Sequence, residues 1–268
     1  MSNRMLYAGL AIISAVVFMA IFAPFIAPYD PTKSTGDVLQ PPSAEHIMGT
    51  DNLGRDIFSR VVYGARVVLI VVFSASLLSM LVGVPLGLIS GYYGGKLDRV
   101  LSMIMDSLYA FPSLILAIAI AAVLGPSVFN AMVAIAVVYI PTYFRMIRGQ
   151  TLSIKTRLFV EAAKVSGASN ARILRKYIFP NVATTVIVVF SLSVADAIIT
   201  EAGLSFLGFI VTAPTPDWGF DLSSGKPYLP AGYWWMITFP GLMVMLLSLG
   251  FALVGEALSE KYLAREER

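Results

Sequence analysis

Stretches of about twenty mostly apolar residues recur along this sequence, and they restrict its fold more than any other feature. Residues 6–27 form the first stretch and contain no charged side chain. A helix of about 20 apolar residues crosses the ~30 Å hydrocarbon core of a bilayer. Only 13% of the residues are charged, against roughly 25% in a typical soluble domain. We therefore predict an all-α membrane protein.

Six such stretches divide the chain. The predicted transmembrane helices are residues 6–27, 65–90, 101–124, 129–146, 182–209 and 235–253. These spans divide the chain into four regions: an N-terminal anchor (1–28), a polar segment (29–64), a core (65–255) and a charged, helical tail (256–268). The core contains five spans and a polar loop at 148–181. We interpret residues 6–27 as a retained anchor, because the apolar core of a cleavable signal peptide has only about 7–15 residues.

Prolines and glycines add local detail to these spans. Pro112 falls inside the third predicted span. Pro180 suits the first turn of the fifth, where its missing N–H costs nothing. Gly83, Pro85 and Gly87 interrupt the far half of the second span, and Gly91 follows its end. Small residues allow helices in lipid to approach closely, so we expect a tight helix contact there.

The basic residues predict the orientation of the spans. Fourteen of the 19 lysines and arginines lie on one side of the six alternating spans, and basic loops stay in the cytoplasm. Both termini and the loop at 148–181 are therefore predicted to be cytoplasmic in a cell-membrane protein, with 29–64 and 212–233 external. We expect a short helix at 56–63, a loop at 212–233, and an interfacial aromatic belt at 233–235.

Residues 161–180 form a polar, basic island between apolar spans. The pattern predicts two short helices joined at Gly167, which can adopt the left-handed conformation that ends a helix. Ser169 or Asn170 can cap the second helix. The first helix is amphipathic. Its apolar stripe contains Leu158, Ala162 and Val165, with Phe159 and Ala163 beside it. Its polar side contains Arg157, Glu161 and Lys164, at spacings that allow ion pairs.

Three interpretations of this island compete. It can lie on the membrane surface with its basic residues on lipid phosphates. It can be a DNA-binding helix-turn-helix, because Ala163, Gly167, Ser169 and Arg172 fit that spacing. The adjoining spans leave no room for the third helix of such a domain, so we predict no nucleic-acid partner. The third interpretation is a docking element for another protein.

The sequence argues against enzyme chemistry in this chain. It has no cysteine and one histidine, His46, which removes thiol nucleophiles and multi-histidine metal sites. A phosphate-binding loop needs GxxxxGK followed by Ser or Thr. Gly95-Lys96 has Ser90 in place of the first glycine and Leu97 after the lysine. We predict a transport subunit without a cofactor of its own.

The island resembles the "EAA" loop of membrane subunits of ABC importers. Glu161-Ala162-Ala163 is followed by Gly167 and, thirteen residues later, by Pro180. Further motifs narrow the resemblance to the C-type permease subunit of peptide (oligopeptide or dipeptide) and nickel importers. These motifs are His46 to Asp51, Gly54-Arg55-Asp56, Ser59-Arg60, Gly64 to Arg66, Asp98-Arg99, Asp106, Phe111-Pro112, Glu201 to Gly208, Pro214 to Gly219 and Trp234-Trp235.

This resemblance implies the transmembrane domain of a type I ABC importer, with six spans and a cytoplasmic coupling hairpin. The implied partners are a B-type permease subunit, two cytoplasmic ATPases that bind ATP and Mg²⁺, an extracellular substrate-binding protein and the lipid bilayer. The hairpin would lie in a groove of an ATPase and transmit nucleotide-driven motion. The residues implied in this coupling are Leu158, Glu161, Ala162, Ala163, Val165 and Gly167.

The identity of the cargo stays open, because relatives of this architecture carry peptides, nickel or oligosaccharides. The sequence departs from the family pattern at Tyr177, where His is frequent, and at Phe209-Ile210, where Leu-Gly is usual. It departs again at Ala252 and at Gly255-Glu256.

Three acidic residues fall within or near the predicted spans. They are Asp106, Asp196 and Glu201. Ionisable groups inside a bilayer mark pathways by default, so these residues are candidates for attracting a peptide N-terminus or a metal cation. The alternative is an interhelical bond, for instance between Asp106 and a cytoplasmic arginine.

Two other classes of protein remain as alternatives. A secondary transporter or channel predicts acids arranged in inverted repeats, and the sequence shows no such symmetry. A membrane-embedded enzyme predicts clustered carboxylates or a second histidine, which are also missing.

Overall fold

Helices account for most of the chain. The computed structural model describes the backbone of residues 2–266 and the side chains of residues 3–261, so residues 267 and 268 of the predicted tail lie outside the description. The helices are α1 (Ser2–Ile21), α2 (Ala23–Ile26), α3 (Ile57–Tyr93), α4 (Gly95–Tyr109), α5 (Ser113–Leu124), α6 (Val128–Ile154), α7 (Leu158–Val165), α8 (Asn170–Ile173), α9 (Phe179–Phe206), α10 (Trp218–Gly225) and α11 (Trp235–Glu266). Within the described residues no strand is assigned beyond one isolated bridge, between Thr50 and Asp56.

The long apolar helices confirm the predicted all-α membrane protein. α1, α3, α6, α9 and α11 are long and apolar enough to cross a membrane, and α4 with α5 would make a sixth span. However, the third predicted span is not one helix, because its two halves are bent by 92°. Pro112 causes the break: its ring disfavours a helical conformation in the preceding residue, and it has no N–H to donate.

α3 is longer than predicted at its N-terminal end. It begins at Ile57, so the short helix expected at 56–63 is its first part rather than a separate element. Asp56 caps it, and Asp56 Oδ2 accepts the Ser59 amide at 2.7 Å. At about 1.5 Å per residue, the helix is longer than a ~30 Å hydrocarbon core requires.

The tightest helix contact joins α3 to α6. A Cβ atom on Gly83 would lie 2.7 Å from the carbonyl oxygen of Ile140, and one on Gly87 would lie 2.8 Å from that of Phe144. The Ser79 hydroxyl also donates to the carbonyl of Ala136 on α6, at 2.9 Å. The predicted close approach is confirmed, because only glycine leaves room for the facing backbone.

A buried polar network fastens segment 29–64 to the bundle. His46 Nδ1 lies 2.9 Å from Asp56 Oδ1. Arg60 pairs with Asp221 of α10 and donates to the carbonyls of Pro31 and Pro214 at 2.9 and 3.1 Å. All these side chains are largely withdrawn from solvent. The segment is therefore a packed cap rather than a solvated loop.

Segment 212–233 also differs from the predicted loop. It contains α10 and a 3-10 turn over Lys226–Ala231. The indole of Trp218 donates to the carbonyl of Val61 at 2.9 Å, and that of Trp235 to the carbonyl of Thr50 at 3.2 Å. Trp235 is buried by this contact, so the expected aromatic belt is wrong for this residue.

Candidate functional site

The predicted polar loop contains a helical hairpin with a defined turn. Gly167 has a left-handed φ of +79°, as predicted. Its amide donates to the carbonyl of Lys164, and the next amide donates to that of Ala163, both at 3.0 Å. Ser169 caps α8 by accepting the Arg172 amide at 3.4 Å. The hairpin's bend is therefore fixed by backbone contacts within the turn itself.

The hairpin has one face on the core of the chain and one open face. Val160 and Ile173 are fully buried in the main hydrophobic cluster. Leu158 and Val165 are 82% and 90% exposed, and Ala162 lies exposed between them. An apolar stripe left open on an otherwise anchored hairpin is typical of an interaction surface.

Two residues of the predicted hairpin have surroundings that the sequence did not predict. Ala163 belongs to the implied coupling set, but it packs against the core of the chain and is only 6% exposed. Glu161 is exposed and forms no ion pair with Arg157 or Lys164 within the described residues. Arg157 precedes α7 with an extended backbone, and the Lys164 ammonium lies 5.5 Å from the centre of the Tyr92 ring.

A π turn over Leu174–Ile178 connects the hairpin to α9 without a break. The amide of Phe179 donates to the carbonyl of Leu174, five residues earlier. Such wide turns accommodate a proline within a helical path, and Pro180 lies in the first turn of α9, as predicted. The helical path runs from Asn170 to Phe206. The second half of the hairpin and α9 therefore form one continuous helical path.

Asp106 forms the interhelical ion pair that was the alternative to a pathway role. Its Oδ1 accepts two hydrogen bonds from Arg145 of α6, at 3.1 and 2.7 Å. The same guanidinium lies 4.0 Å from the centre of the Tyr109 ring. Both charged side chains are about half exposed, and exposed pairs contribute little to stability, about 0–1 kcal/mol.

Asp196 faces an open groove beside the break between α4 and α5. The Tyr139 hydroxyl lies 2.7 Å from Asp196 Oδ2 and 2.9 Å from the Thr200 hydroxyl. Two adjoining cavities, of about 270 and 290 Å³, are both lined by Asp196, Tyr109, Tyr139 and Thr142. The groove therefore combines one exposed carboxylate with aromatic and hydroxyl groups.

Glu201 does not share this groove. Its side chain is completely buried in the described chain, facing Asp217 at the start of α10. The structure thus separates the three predicted acids into an ion pair, a groove residue and a buried residue. Asp217 was not predicted as a neighbour of Glu201, because only the docking of α10 on α9 brings them together.

Comparisons with known proteins agree with this architecture. Residues 83–263 match the family described as binding-protein-dependent transport system inner membrane component. Residues 1–42 match the N-terminal TM domain of oligopeptide transport permease C.

Individual relatives match over nearly the whole chain. The dipeptide transport system permease protein DppC of Alkalihalophilus pseudofirmus is 44% identical over 96% of this chain and 85% of its own. The oligopeptide transport system permease protein OppC of Bacillus subtilis is 40% identical over 97% and 85%. Among solved structures, an inward-facing form of the MetNI methionine ABC transporter superposes with a TM-score of 0.60 at 23% identity, covering 74% of this chain and 93% of that one.

Proposed function

We propose, from the premise that this chain belongs to the family of binding-protein-dependent transport system inner membrane components, that it lines the translocation pathway of an ATP-driven peptide importer. Its fold is that of the transmembrane domain of a type I ABC importer. The observation that carries the proposal is the open apolar stripe of Leu158, Ala162 and Val165, on a hairpin that continues into α9.

The stripe supports docking of a separate ATPase. Because the opposite face of the hairpin is anchored through Val160 and Ile173, a partner that moves the hairpin also moves the bundle. Interfaces that switch between two packed states transmit motion in this way. ATP and Mg²⁺ would be bound by that partner, so this chain needs no cofactor of its own.

The groove at Asp196 supports a role in the pathway. Its carboxylate would attract the ammonium group of a peptide N-terminus, and the surrounding rings and hydroxyls would accept varied side chains. The groove opens at the surface of the chain, where a B-type permease subunit would complete it. The proposed groove does not include the other two acids. Asp106 is paired with Arg145, and the side chain of Glu201 is buried.

The membrane orientation follows from the basic residues. The hairpin and both termini would lie in the cytoplasm. The packed cap at 29–64 and α10 would then face outward, and a rigid outer surface of this kind suits the docking of a substrate-binding protein.

The cargo is tested by comparing solutes in cells that lack this chain. We expect deletion of its gene to abolish uptake of a labelled dipeptide, and a plasmid copy to restore it. Uptake of labelled nickel and of a labelled oligosaccharide should stay unchanged. Loss of nickel or oligosaccharide uptake, with dipeptide uptake intact, would replace the peptide assignment by that solute.

Replacing Asp196 with asparagine tests the pathway. We expect uptake of a dipeptide with a free N-terminus to fall about tenfold, corresponding to about 1.4 kcal/mol of lost attraction. Uptake of an N-acetylated analogue, if it is transported, should change less. Asp106→Asn is the matched control and should leave uptake intact. Unchanged dipeptide uptake in Asp196→Asn, together with a lower melting temperature, would assign Asp196 a purely structural role.

A further inference from the structure

Two buried carboxyl groups meet where α10 packs on α9. Glu201 and Asp217 are both fully withdrawn from solvent. Asp217 Oδ1 accepts the Ser205 hydroxyl and the Phe220 amide, the latter at 3.1 Å. Asp217 Oδ2 and both carboxyl oxygens of Glu201 have no hydrogen-bond donor within the described residues. Three buried acceptor atoms are thus left without a donor.

No cationic side chain compensates these two acids. Within the described part of the chain, neither Glu201 nor Asp217 forms an ion pair. Asp221 interacts electrostatically with Asp217, Arg60 and Arg55, and Arg60 is already engaged by Asp221. Burial raises the pKa of the Asp221 carboxyl to about 6, although Arg60 acts in the opposite direction. This region is therefore largely withdrawn from water.

We propose that Glu201 and Asp217 bind one proton between them at neutral pH, so that the contact of α9 with α10 is a proton-binding site. Two adjacent carboxylates in a dry site cannot both remain ionised. A single proton removes one charge and supplies the missing donor, forming an O–H···O bond to Asp217 Oδ2. This step adds a proton from solvent and breaks no other bond.

The surroundings assign the proton to Glu201. Asp217 already accepts two hydrogen bonds, from the Ser205 hydroxyl and the Phe220 amide. Glu201 has no such donor, and a buried carboxylate without one is strongly disfavoured. The protonated Glu201 therefore donates, and the ionised Asp217 accepts.

The site would hold α10 in its close approach to α9. A Cβ atom on Gly219 would lie 2.3 Å from the carbonyl oxygen of Ala202, so the two backbones touch beside the acids. Asp221 of the same short helix is paired with Arg60. The shared proton therefore connects α9 to the cap formed by segment 29–64.

Infrared spectroscopy of the purified complex in lipid nanodiscs tests this site without any transport measurement. We expect the carbonyl band of a protonated carboxylic acid at neutral pH. Glu201→Gln should remove this band while preserving the melting temperature, because the amide group still donates to Asp217. Glu201→Ala should lower the melting temperature, because it leaves Asp217 Oδ2 without a donor. Asp217→Asn should shift or remove the band, because it removes the neighbouring charge and supplies an amide donor to Glu201.

The control is Asp196→Asn, which should leave the band unchanged. A spectrum without any carboxylic acid band that depends on Glu201 would overturn the proposal. So would a stoichiometric metal ion, detected by elemental analysis of the wild-type complex and lost in Glu201→Gln, since a cation would then occupy the site. If Glu201→Gln fails to assemble, the band in Asp217→Asn decides: a shift or loss of the band supports the shared proton, and an unchanged band contradicts it.

Discussion

We expect replacement of both Leu158 and Val165 with aspartate to abolish ATP-driven uptake and to release the proposed ATPase partner during purification. The two side chains are the most exposed apolar groups of the hairpin. If a partner covers them, each new carboxylate is buried without a counter-charge. An uncompensated buried charge costs about 3–5 kcal/mol, which weakens association by roughly two to four orders of magnitude. The fraction of ATPase that co-purifies with the chain measures this loss.

The matched control adds the same charge to a site outside the stripe. Ser153 lies exposed near the end of α6, and Ser153→Asp should retain both the ATPase and uptake. The double variant should itself fold normally, because its new charges face solvent in the isolated chain. Full retention of the ATPase by the Leu158→Asp, Val165→Asp variant would show that the stripe is not the docking surface.

Replacing Gly87 with leucine prevents the chain from accumulating in folded form. A Cβ atom at this position already lies 2.8 Å from the backbone carbonyl of Phe144 and 3.1 Å from the Arg148 amide. These neighbours are backbone atoms of α6 and cannot rotate away. Overpacking a core usually costs about 1–3 kcal/mol, occasionally more, and we expect the upper end or beyond. The yield of monodisperse protein and its melting temperature measure the effect.

Gly149 provides the control for this substitution. It also lies in the interior of a helix, α6, but no atom approaches within 4 Å of its Cβ position. Gly149→Ala should therefore stabilise the protein by about 0.5–1 kcal/mol, because alanine loses less backbone entropy than glycine in a helix. A Gly87→Leu variant with the melting temperature of the wild type would contradict the proposed packing of α3 on α6.

Features that depend on local sequence were predictable. The apolar spans follow from runs of mostly apolar residues, and the turn of the hairpin follows from Gly167 and Ser169. Gly83 and Gly87 predicted a tight contact, although the sequence did not identify α6 as the partner. In each case the determining residues lie within one or two helical turns of one another.

Features that depend on distant contacts were missed. Pro112 is compatible with a kinked span or with a sharp bend, and the sequence around it does not distinguish the two. Trp235 follows an aromatic pattern typical of a membrane interface, yet its indole bonds to Thr50, 185 residues away. Glu201 was predicted as a candidate pathway residue. Its burial against Asp217 was not predicted, because it requires the docking of α10.

ATP-driven dipeptide uptake into proteoliposomes is the most direct test of how this subunit works. The vesicles would contain this chain with its partner permease, the ATPase subunits and the binding protein. We predict uptake that requires ATP hydrolysis and the binding protein, and that is lost in the Leu158→Asp, Val165→Asp variant but not in Ser153→Asp. ATP-independent uptake by vesicles that contain this chain alone would contradict the account and indicate a secondary transporter or channel.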